Sequence, residues 1–324
     1  MCYANSAEDC GVLDYGLVVV CKKVVFMDAK LIEKLAFLKN KIGNTPIVCL
    51  SGGMFAKLEK HNPAGSIKDR VAYYATLRAV ECGALKSGTA IVEATSGNMG
   101  IALAYVAHEI GVACKIVMPE NMSKKRMDII RAYGAELILT PCADGMSGAV
   151  RKAKEIANEG GFFVNQFENN ASVEAHLLTT APEIFCALPT VKYIVVGIGS
   201  GGTAMGIKRY IEQNELDCKV IALEPSSSPL LSKGYAGQHA IQGIGANFVP
   251  KILDKTKLDG IICVDDDDAL NCMRKLYADF GLKCGISSGA AYMAASTLQK
   301  CVDGDILAIF PDDANRYDNL IYAP

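Results

Sequence analysis

The chain is predicted to be an α/β protein of two domains, with parallel-rich sheets flanked by helices. Three observations predict this. Short β-branched runs alternate with longer amphipathic stretches, as in strands joined by helical crossovers. At 324 residues the chain exceeds the usual size of one hydrophobic core. Gly/Ser/Asn clusters also fall where strands should end and helices begin, at Thr95 to Gly100, Gly197 to Thr203 and Gly285 to Gly289.

In chain order, a helical pattern covers Lys30 to Lys39 and a first strand Met54 to Leu58. Strands follow at Ala90 to Glu93, Lys115 to Met118 and Glu136 to Leu139, then at Tyr193 to Val196, Val220 to Leu223, Ile261 to Val264 and Ile306 to Phe310. Each is a short apolar or β-branched run. Between them, amphipathic stretches predict helices at Ile67 to Val80, Asn98 to Ile110, Lys124 to Tyr133 and Ser147 to Ala157. Three more are expected at Ala204 to Ile211, Ala269 to Phe280 and Gly289 to Leu298. No repeat, low-complexity tract or Pro/Ser linker divides the chain, so a domain boundary must run through ordinary loops near Asn165 to Asn170. Residues 1–29 read as an N-terminal extension, 62–170 as a smaller, mobile substrate-binding domain, and 30–61 with 171–324 as a larger domain.

A hydrophobic fraction of 51%, a net charge of −2 and 21% charged residues describe an ordinary globular protein, neither disordered nor fibrous. Lysines and arginines are scattered among acids, which argues against nucleic acid as a partner. The 13 cysteines are odd in number with no CxxC pair, which suggests neither a disulfide framework nor a zinc site and fits reduced thiols in the cytoplasm. The apolar stretch Gly16 to Val20 is interrupted by Cys21-Lys22-Lys23, so it is too short and too charged to span a bilayer. His61, His108, His176 and His239 are too dispersed for a metal cluster and read as structural or surface residues. Asp265 to Asp268 reads as a solvated helix N-terminus.

Four constellations carry chemistry. In Asn62-Pro63-Ala64-Gly65-Ser66-Ile67-Lys68-Asp69-Arg70 a turn delivers Lys68 to a helix start, where burial would lower its pKa and let it form a Schiff base. Taken alone, Lys68 also reads as a solvated first-turn residue. Thr95-Ser96-Gly97-Asn98-Met99-Gly100 offers small hydroxyl and amide groups at a helix N-terminus, a receptor for a carboxylate or phosphate or simply an N-cap. Gly197, Gly199 and Gly202 satisfy G-x-G-x-x-G with Glu224 downstream, so this loop reads either as a dinucleotide fingerprint of an NAD-dependent oxidoreductase or as a cradle for one phosphate. Gly285-Ile286-Ser287-Ser288-Gly289 opens another helix, where a neutral hydroxyl could donate to a pyridine nitrogen or cap the helix.

Together with Ile42-Gly43-Asn44-Thr45-Pro46 and Ile241-Gln242-Gly243-Ile244-Gly245-Ala246, these motifs closely resemble the cysteine synthase (O-acetylserine sulfhydrylase) and cystathionine β-synthase family. The resemblance runs from about Ile42 to Tyr317. It implies a fold-type II pyridoxal 5'-phosphate enzyme, tryptophan synthase β-like, with the cofactor in an interdomain cleft. It also implies a homodimer and a possible serine acetyltransferase partner. By that resemblance Lys68 is the catalytic residue and carries the cofactor, and Asn98 bonds the cofactor's phenolic oxygen. Gly199, Ser200, Gly201, Gly202 and Thr203 would hold the phosphate, and Ser287 would face the ring nitrogen. Thr95, Ser96, Gly97, Met99, Gln166 and Gly243 would form the substrate site, with no metal.

The implied reaction is β-replacement or β-elimination on a serine- or cysteine-type amino acid, with sulfide or a thiol as nucleophile. O-acetylserine and sulfide giving cysteine and acetate leads the field. A relative that consumes cysteine and releases hydrogen sulfide, a lanthionine- or cystathionine-forming enzyme, and an O-phosphoserine-dependent synthase look much the same at this level. The chain departs from the family pattern at Met99, where threonine is usual, at Asn247, where glycine is usual, and at Pro311-Asp312-Asp313-Ala314-Asn315-Arg316-Tyr317, normally richer in serine and glycine. Two carboxylates in that last segment are expected to alter the charge at the cofactor's pyridine end.

Overall fold

A computed structural model of the chain describes residues 12–13, 17–20 and 23–317, with side chains from residue 27 onward. The expected N-terminal extension, 1–29, therefore lies partly outside the described residues. Its described backbone forms a small antiparallel sheet of β1 (Val12–Leu13), β2 (Leu17–Val20) and β3 (Lys23–Phe26).

From there the chain runs through α1 (Ala29–Lys39), β4 (Ile47–Ser51), β5 (Met54–Leu58), α2 (Lys68–Glu81), β6 (Ile91–Ala94) and α3 (Asn98–Ile110). Next come β7 (Cys114–Pro119), α4 (Lys124–Ala132), β8 (Glu136–Thr140), α5 (Gly145–Asn158) and β9 (Phe162–Phe163). A helical stretch follows, in which α6 (Ala171–Ala175) and α7 (Ala181–Ala187) are joined by a π-turn over His176–Thr180. Then come β10 (Tyr193–Gly197), α8 (Gly202–Gln213), β11 (Lys219–Pro225), a short α9 (Leu230–Lys233), β12 (Gly260–Val264), α10 (Asp266–Phe280), α11 (Ile286–Gln299) and β13 (Ile306–Phe310).

The chain folds as two units. The smaller holds the described chain up to Ile42 and Ala72–Asn165; the larger holds Gly43–Val71 and the chain from Gln166 onward. The cuts fall after Ile42, Val71 and Asn165, where the sequence suggested cuts after residues 29, 61 and 170. Packing explains the first two differences. Ile67 is buried in a core of the larger unit, and Arg70 is ion-paired there, so the segment Asn62 to Val71 belongs with that unit. Helix α1 instead ties to α3: Lys34 Nζ donates to the Ile110 carbonyl at 2.6 Å and Lys41 pairs with Glu109 at 2.6 Å.

In the larger unit six strands run in the order β12-β11-β10-β13-β5-β4, all parallel save the antiparallel edge pair of β4 and β5. Both faces are covered. Val195, Leu223 and Ala308 join one core with residues of α10 and α11, while Ile194, Val196, Val220, Ala222 and Leu307 join another with residues of α8. That is why these strands read as unbroken apolar runs rather than alternating ones. The smaller unit holds a parallel sheet in the order β8-β7-β6-β9, with Val92, Ala94 and Val117 packed on Ala149, Ala153 and Ile156 of α5. In each unit one strand, β6 or β10, ends in a Gly/Ser/Thr loop that leads straight into a helix, the geometry in which carboxyl strand ends receive ligands. Among the described residues no helix is long and apolar enough to cross a membrane.

Candidate active site

Lys68 is the first residue of α2, and the turn before it is held on several sides. Asp69, fully buried, accepts from the Ala64 amide at 2.6 Å, closing the turn onto the helix. The Ile67 amide donates to the Pro311 carbonyl at 2.8 Å, and Ser66 forms a bridge with Asp312. The alternative of a solvated first turn is thereby overturned, because Asp69 and Arg70 both have 0% exposure. Lys68 itself is half-buried by surface, yet its amine lies deep enough that burial brings its pKa down to about 8, opposed by the negative charge of Asp312. Such an amine is nucleophilic near neutral pH. Burial, partly offset by Arg316 and the Ala64 amide, pushes Asp69 up to about 7.

Behind this turn lies an ion network that sequence reasoning missed. Arg70 donates through Nε and Nη2 to both carboxylate oxygens of Glu59 at 2.8 and 2.9 Å, and through Nη1 and Nη2 to those of Glu183 at 2.6 and 2.7 Å. Lys57 pairs with Glu183 at 2.8 Å and donates to the Thr45 carbonyl at 2.9 Å. Asn62 donates to Glu59 at 2.8 Å and accepts the Gly43 amide at 2.9 Å. Burial pushes Glu59 up, but the charge and hydrogen bonds of Arg70 win and hold it below the ordinary value. The Gly43 motif now has a physical reason: φ is 91°, and a Cβ there would stand 2.8 Å from Arg70 Nη1 and from Glu183 Oε1.

The glycine loop joins β10 to α8. Thr203, in the first turn of α8, shares a hydrogen bond at 3.1 Å with Nε2 of the fully buried His176, whose Nδ1 meets Thr180 Oγ1 at 2.9 Å. Burial and the charges of Lys68 and Arg70 push the His176 pKa well down, so the ring is neutral. The i, i+4 spacing of His176 and Thr180 on a helical stretch was the available signal for this pair. Ser172 is 1% exposed, and its hydroxyl has no hydrogen-bond partner among the described residues. A Cβ on Gly202 would collide with that hydroxyl, so the loop needs glycine there to lie against α6. A glycine loop at a helix N-terminus, an unsatisfied hydroxyl beside it and a low-pKa lysine in the same unit fit a phosphate-bearing aldehyde cofactor. Glu224 is engaged elsewhere: it accepts the amides of Leu231 and Ser232 at 2.8 and 3.0 Å, capping α9.

Ser287 is buried in the first turn of α11, behind the Gly285 N-cap. Gln166 is buried, Gly243 is exposed with φ 92°, and Asn247 is exposed. In the smaller unit, Thr95 is buried at the end of β6 and its Oγ1 accepts the Gly97 amide at 3.3 Å. Arg126 Nη1 donates to the Ser96 carbonyl at 3.2 Å, pinning the loop that leads into α3. Ser96, Gly97 and Asn98 are half-buried, whereas Met99 is 2% exposed and fills space at the helix start.

Compared with known proteins, residues 38–312 match the family described as pyridoxal-phosphate dependent enzyme. The chain belongs to that family. Cysteine synthase B of Campylobacter jejuni is 46% identical over 283 residues, covering 85% of this chain and 94% of the relative. Among solved structures, an O-ureido-L-serine synthase aligns with a TM-score of 0.84 at 38% identity, covering 87% of this chain and 94% of that one. A hydrogen sulfide-producing enzyme of Fusobacterium nucleatum also aligns with a TM-score of 0.84, at 39% identity over 88% of this chain and 90% of that one. The two mainly parallel sheets are those of the fold-type II pyridoxal-phosphate enzymes, the cofactor is pyridoxal phosphate, and the dinucleotide reading of the glycine loop falls away. Within this pyridoxal-phosphate family the chain is a cysteine synthase-like enzyme. Gly202→Ala is expected to weaken cofactor affinity by roughly tenfold or more, about 1.4 kcal/mol, in an absorbance titration of the full chain. Unchanged affinity would remove the cradle.

Proposed function

We propose that the chain makes cysteine by β-replacement, taking O-acetylserine as donor and sulfide as nucleophile. The observation that carries this reading is Lys68, an amine of lowered pKa at the opening of α2, in the unit that also presents the glycine cradle and Ser287. Gly199, Ser200, Gly201, Gly202 and Thr203 would hold the cofactor phosphate, Ser287 its ring nitrogen and Asn98 its phenolic oxygen. Thr95, Ser96, Gly97, Met99, Gln166 and Gly243 would receive the substrate. When bound, pyridoxal phosphate supplies an electron sink that makes the Cα proton of an amino acid acidic.

The rest falls to this chain's own groups. Lys68 Nζ takes the Cα proton as general base. The Cβ–O bond breaks and acetate leaves with its electron pair; sulfide then bonds to Cβ, and Lys68 returns the proton to Cα. Thr203, whose hydroxyl shares a hydrogen bond with the neutral His176, would be held ready to donate to a bound phosphate. Ser287 cannot keep a ring nitrogen protonated as a carboxylate would, which favours expelling a β-substituent over long-lived charge storage. Ser287→Asp is accordingly expected to slow β-replacement by roughly tenfold or more, about 1.4 kcal/mol of barrier, while cofactor affinity changes less. Steady-state turnover beside a cofactor titration checks this, and unchanged turnover would contradict the role.

A second reading is favoured by the likeness to the Fusobacterium nucleatum enzyme: cysteine as the donor, with sulfide released. The likeness to the cysteine synthases extends the proposal to a cytoplasmic homodimer with a possible serine acetyltransferase partner. Purified protein mixed separately with O-acetylserine, O-phosphoserine, serine and cysteine, then supplied with sulfide, homocysteine or cysteine, decides between donors by mass spectrometry of products. Cysteine formed from O-acetylserine supports the proposal; turnover only of cysteine replaces it with the second reading.

A further inference from the structure

Two segments expected to receive the amino acid stand far apart in the chain and meet in the larger unit. Gln166, buried, opens the turn Gln166-Phe167-Glu168 that leads toward α6. Gly243 belongs to the loop between α9 and β12, which rests on the glycine loop. The Gly245 amide donates to the Ile198 carbonyl at 2.9 Å, and His239 Nε2 donates to the Gly245 carbonyl at 2.9 Å. A Cβ on Gly199 would stand 2.5 Å from the Gly243 carbonyl oxygen, and one on Gly201 2.8 Å from the Leu253 Cβ. The chain from Gly243 to Leu253 is therefore anchored at both ends. Between those anchors Phe248 meets Phe167 edge to face, with ring centroids 4.9 Å apart and planes at 73°. Lys251 Nζ pairs with Glu168 Oε1 at 2.8 Å.

The aromatic contact is the stronger of these two links. The Lys251 and Glu168 side chains are 74% and 41% exposed, so water and salt screen their attraction. Phe248 is 46% exposed, and neither it nor Phe167 belongs to either core of the larger unit. The pair thus joins loop to loop. Neither segment is a helix or strand, so no backbone ladder sets their spacing, and side-chain contact does so instead.

We propose that Phe248 is a positioning residue for the amino-acid donor, holding Gln166 and the Gly243 loop at a fixed spacing through Phe167. The inference rests on Gln166 and Gly243 being substrate residues. Segments already spaced for the donor need not be ordered when it binds, which lowers the donor concentration that turnover requires. Lys68 sits on a turn held by contacts of its own, from Asp69 to the Ala64 amide and from the Ile67 amide to Pro311, so the proton step does not depend on the aromatic pair. Loss of Phe248 should therefore act on KM and spare kcat.

The test is steady-state kinetics of the full holoenzyme with whichever of the four donors the wild type consumes. Phe248→Ala is expected to raise the donor KM by roughly tenfold, with kcat within about twofold and cofactor affinity unchanged. Phe167→Ala should do the same, and the double variant should be no worse than either, because both changes break one contact. Phe248→Tyr, which keeps the ring, should restore the wild-type KM, and Lys251→Ala should leave it within about twofold. An unchanged KM in Phe248→Ala, or single-variant effects that multiply in the double, overturns the proposal. Amide exchange adds a readout without substrate: Phe248→Ala should speed exchange in the unaltered peptide around Gln166, and an unchanged rate there also overturns it. A wild type that turns over none of the donors sinks the functional reading instead, and the exchange rate still judges the link between Phe167 and Phe248.

Discussion

Arg70→Met is expected to destabilise the protein by about 3–5 kcal/mol, because it strands a buried carboxylate without its cation. Arg70 and Glu59 side chains both have 0% exposure, and four Arg70 hydrogen bonds to carboxylates lie between 2.6 and 2.9 Å. Surface pairs offer the contrast. Lys192 and Asp217 meet at 2.8 Å, but their side chains are 44% and 88% exposed, and Asp217→Asn should leave the unfolding midpoint close to that of the wild type. The Arg70 deficit also depends on pH, and its sign follows from Glu59. With Arg70 in place the Glu59 pKa is lowered from 4.5, so its stabilising contribution is present above that value and lost as pH falls through the lower folded one. Without Arg70, burial, the largest influence on Glu59, outweighs what Lys57 and Thr45 still supply, and the variant loses stability as pH climbs past 4.5. Urea unfolding followed by far-UV circular dichroism, suited to a chain with no tryptophan, should show a larger deficit at pH 8 than at pH 5. Equal midpoints for variant and wild type at both pH values would mean the network does not hold the Lys68 turn.

The second large effect is catalytic. Lys68→Ala removes the amine that binds the aldehyde and the base that takes the Cα proton, and a positioned general base alone is worth about 10²–10⁴ in rate. Turnover should fall by at least that factor while the fold stays intact, since the Lys68 backbone amide, not its side chain, is what Ser66 Oγ engages at 3.3 Å. Cofactor then binds only through the loop and washes out on desalting. Single-turnover product formation and absorbance before and after desalting measure both. A variant that kept wild-type turnover would show that another group does the chemistry.

Much of this architecture can be read from the residues alone. Helix α3 begins and ends where the pattern puts it, between Gly97 and Gly111, and β13 coincides with the unbroken apolar run Ile306–Phe310. Other elements escaped for physical reasons. Strand β4 is half-exposed and follows Pro46, so its five residues give a weak signal, although the Gly52-Gly53 turn into β5 is a recognised hairpin mark. The helical stretch Ala171–Ala187 hid behind Asn169-Asn170 and Pro182, residues that ordinarily punctuate a helix.

The site divides in the same way. Lys68, the glycine loop and Ser287 could be nominated because each sits in a local motif whose turn chemistry is written in adjacent residues, and each does lie at the opening of a helix. The Lys57–Glu59–Arg70–Glu183 network was not, because Arg70 and Glu183 stand 113 positions apart and isolated charges read as surface. The pairing of Asp312 with Ser66 was equally hidden, for only the folded chain brings the end of β13 against the turn before α2.

The central claim is that one particular nitrogen carries the cofactor. Sodium borohydride reduction of the purified holoprotein, followed by proteolysis and tandem mass spectrometry, locates that nitrogen directly. The account predicts a single phosphopyridoxyl-lysine in the peptide that spans Ser66 to Arg70, and its absence from Lys68→Ala. A modified lysine elsewhere, or none in a protein that still consumes its amino-acid substrate, would contradict it.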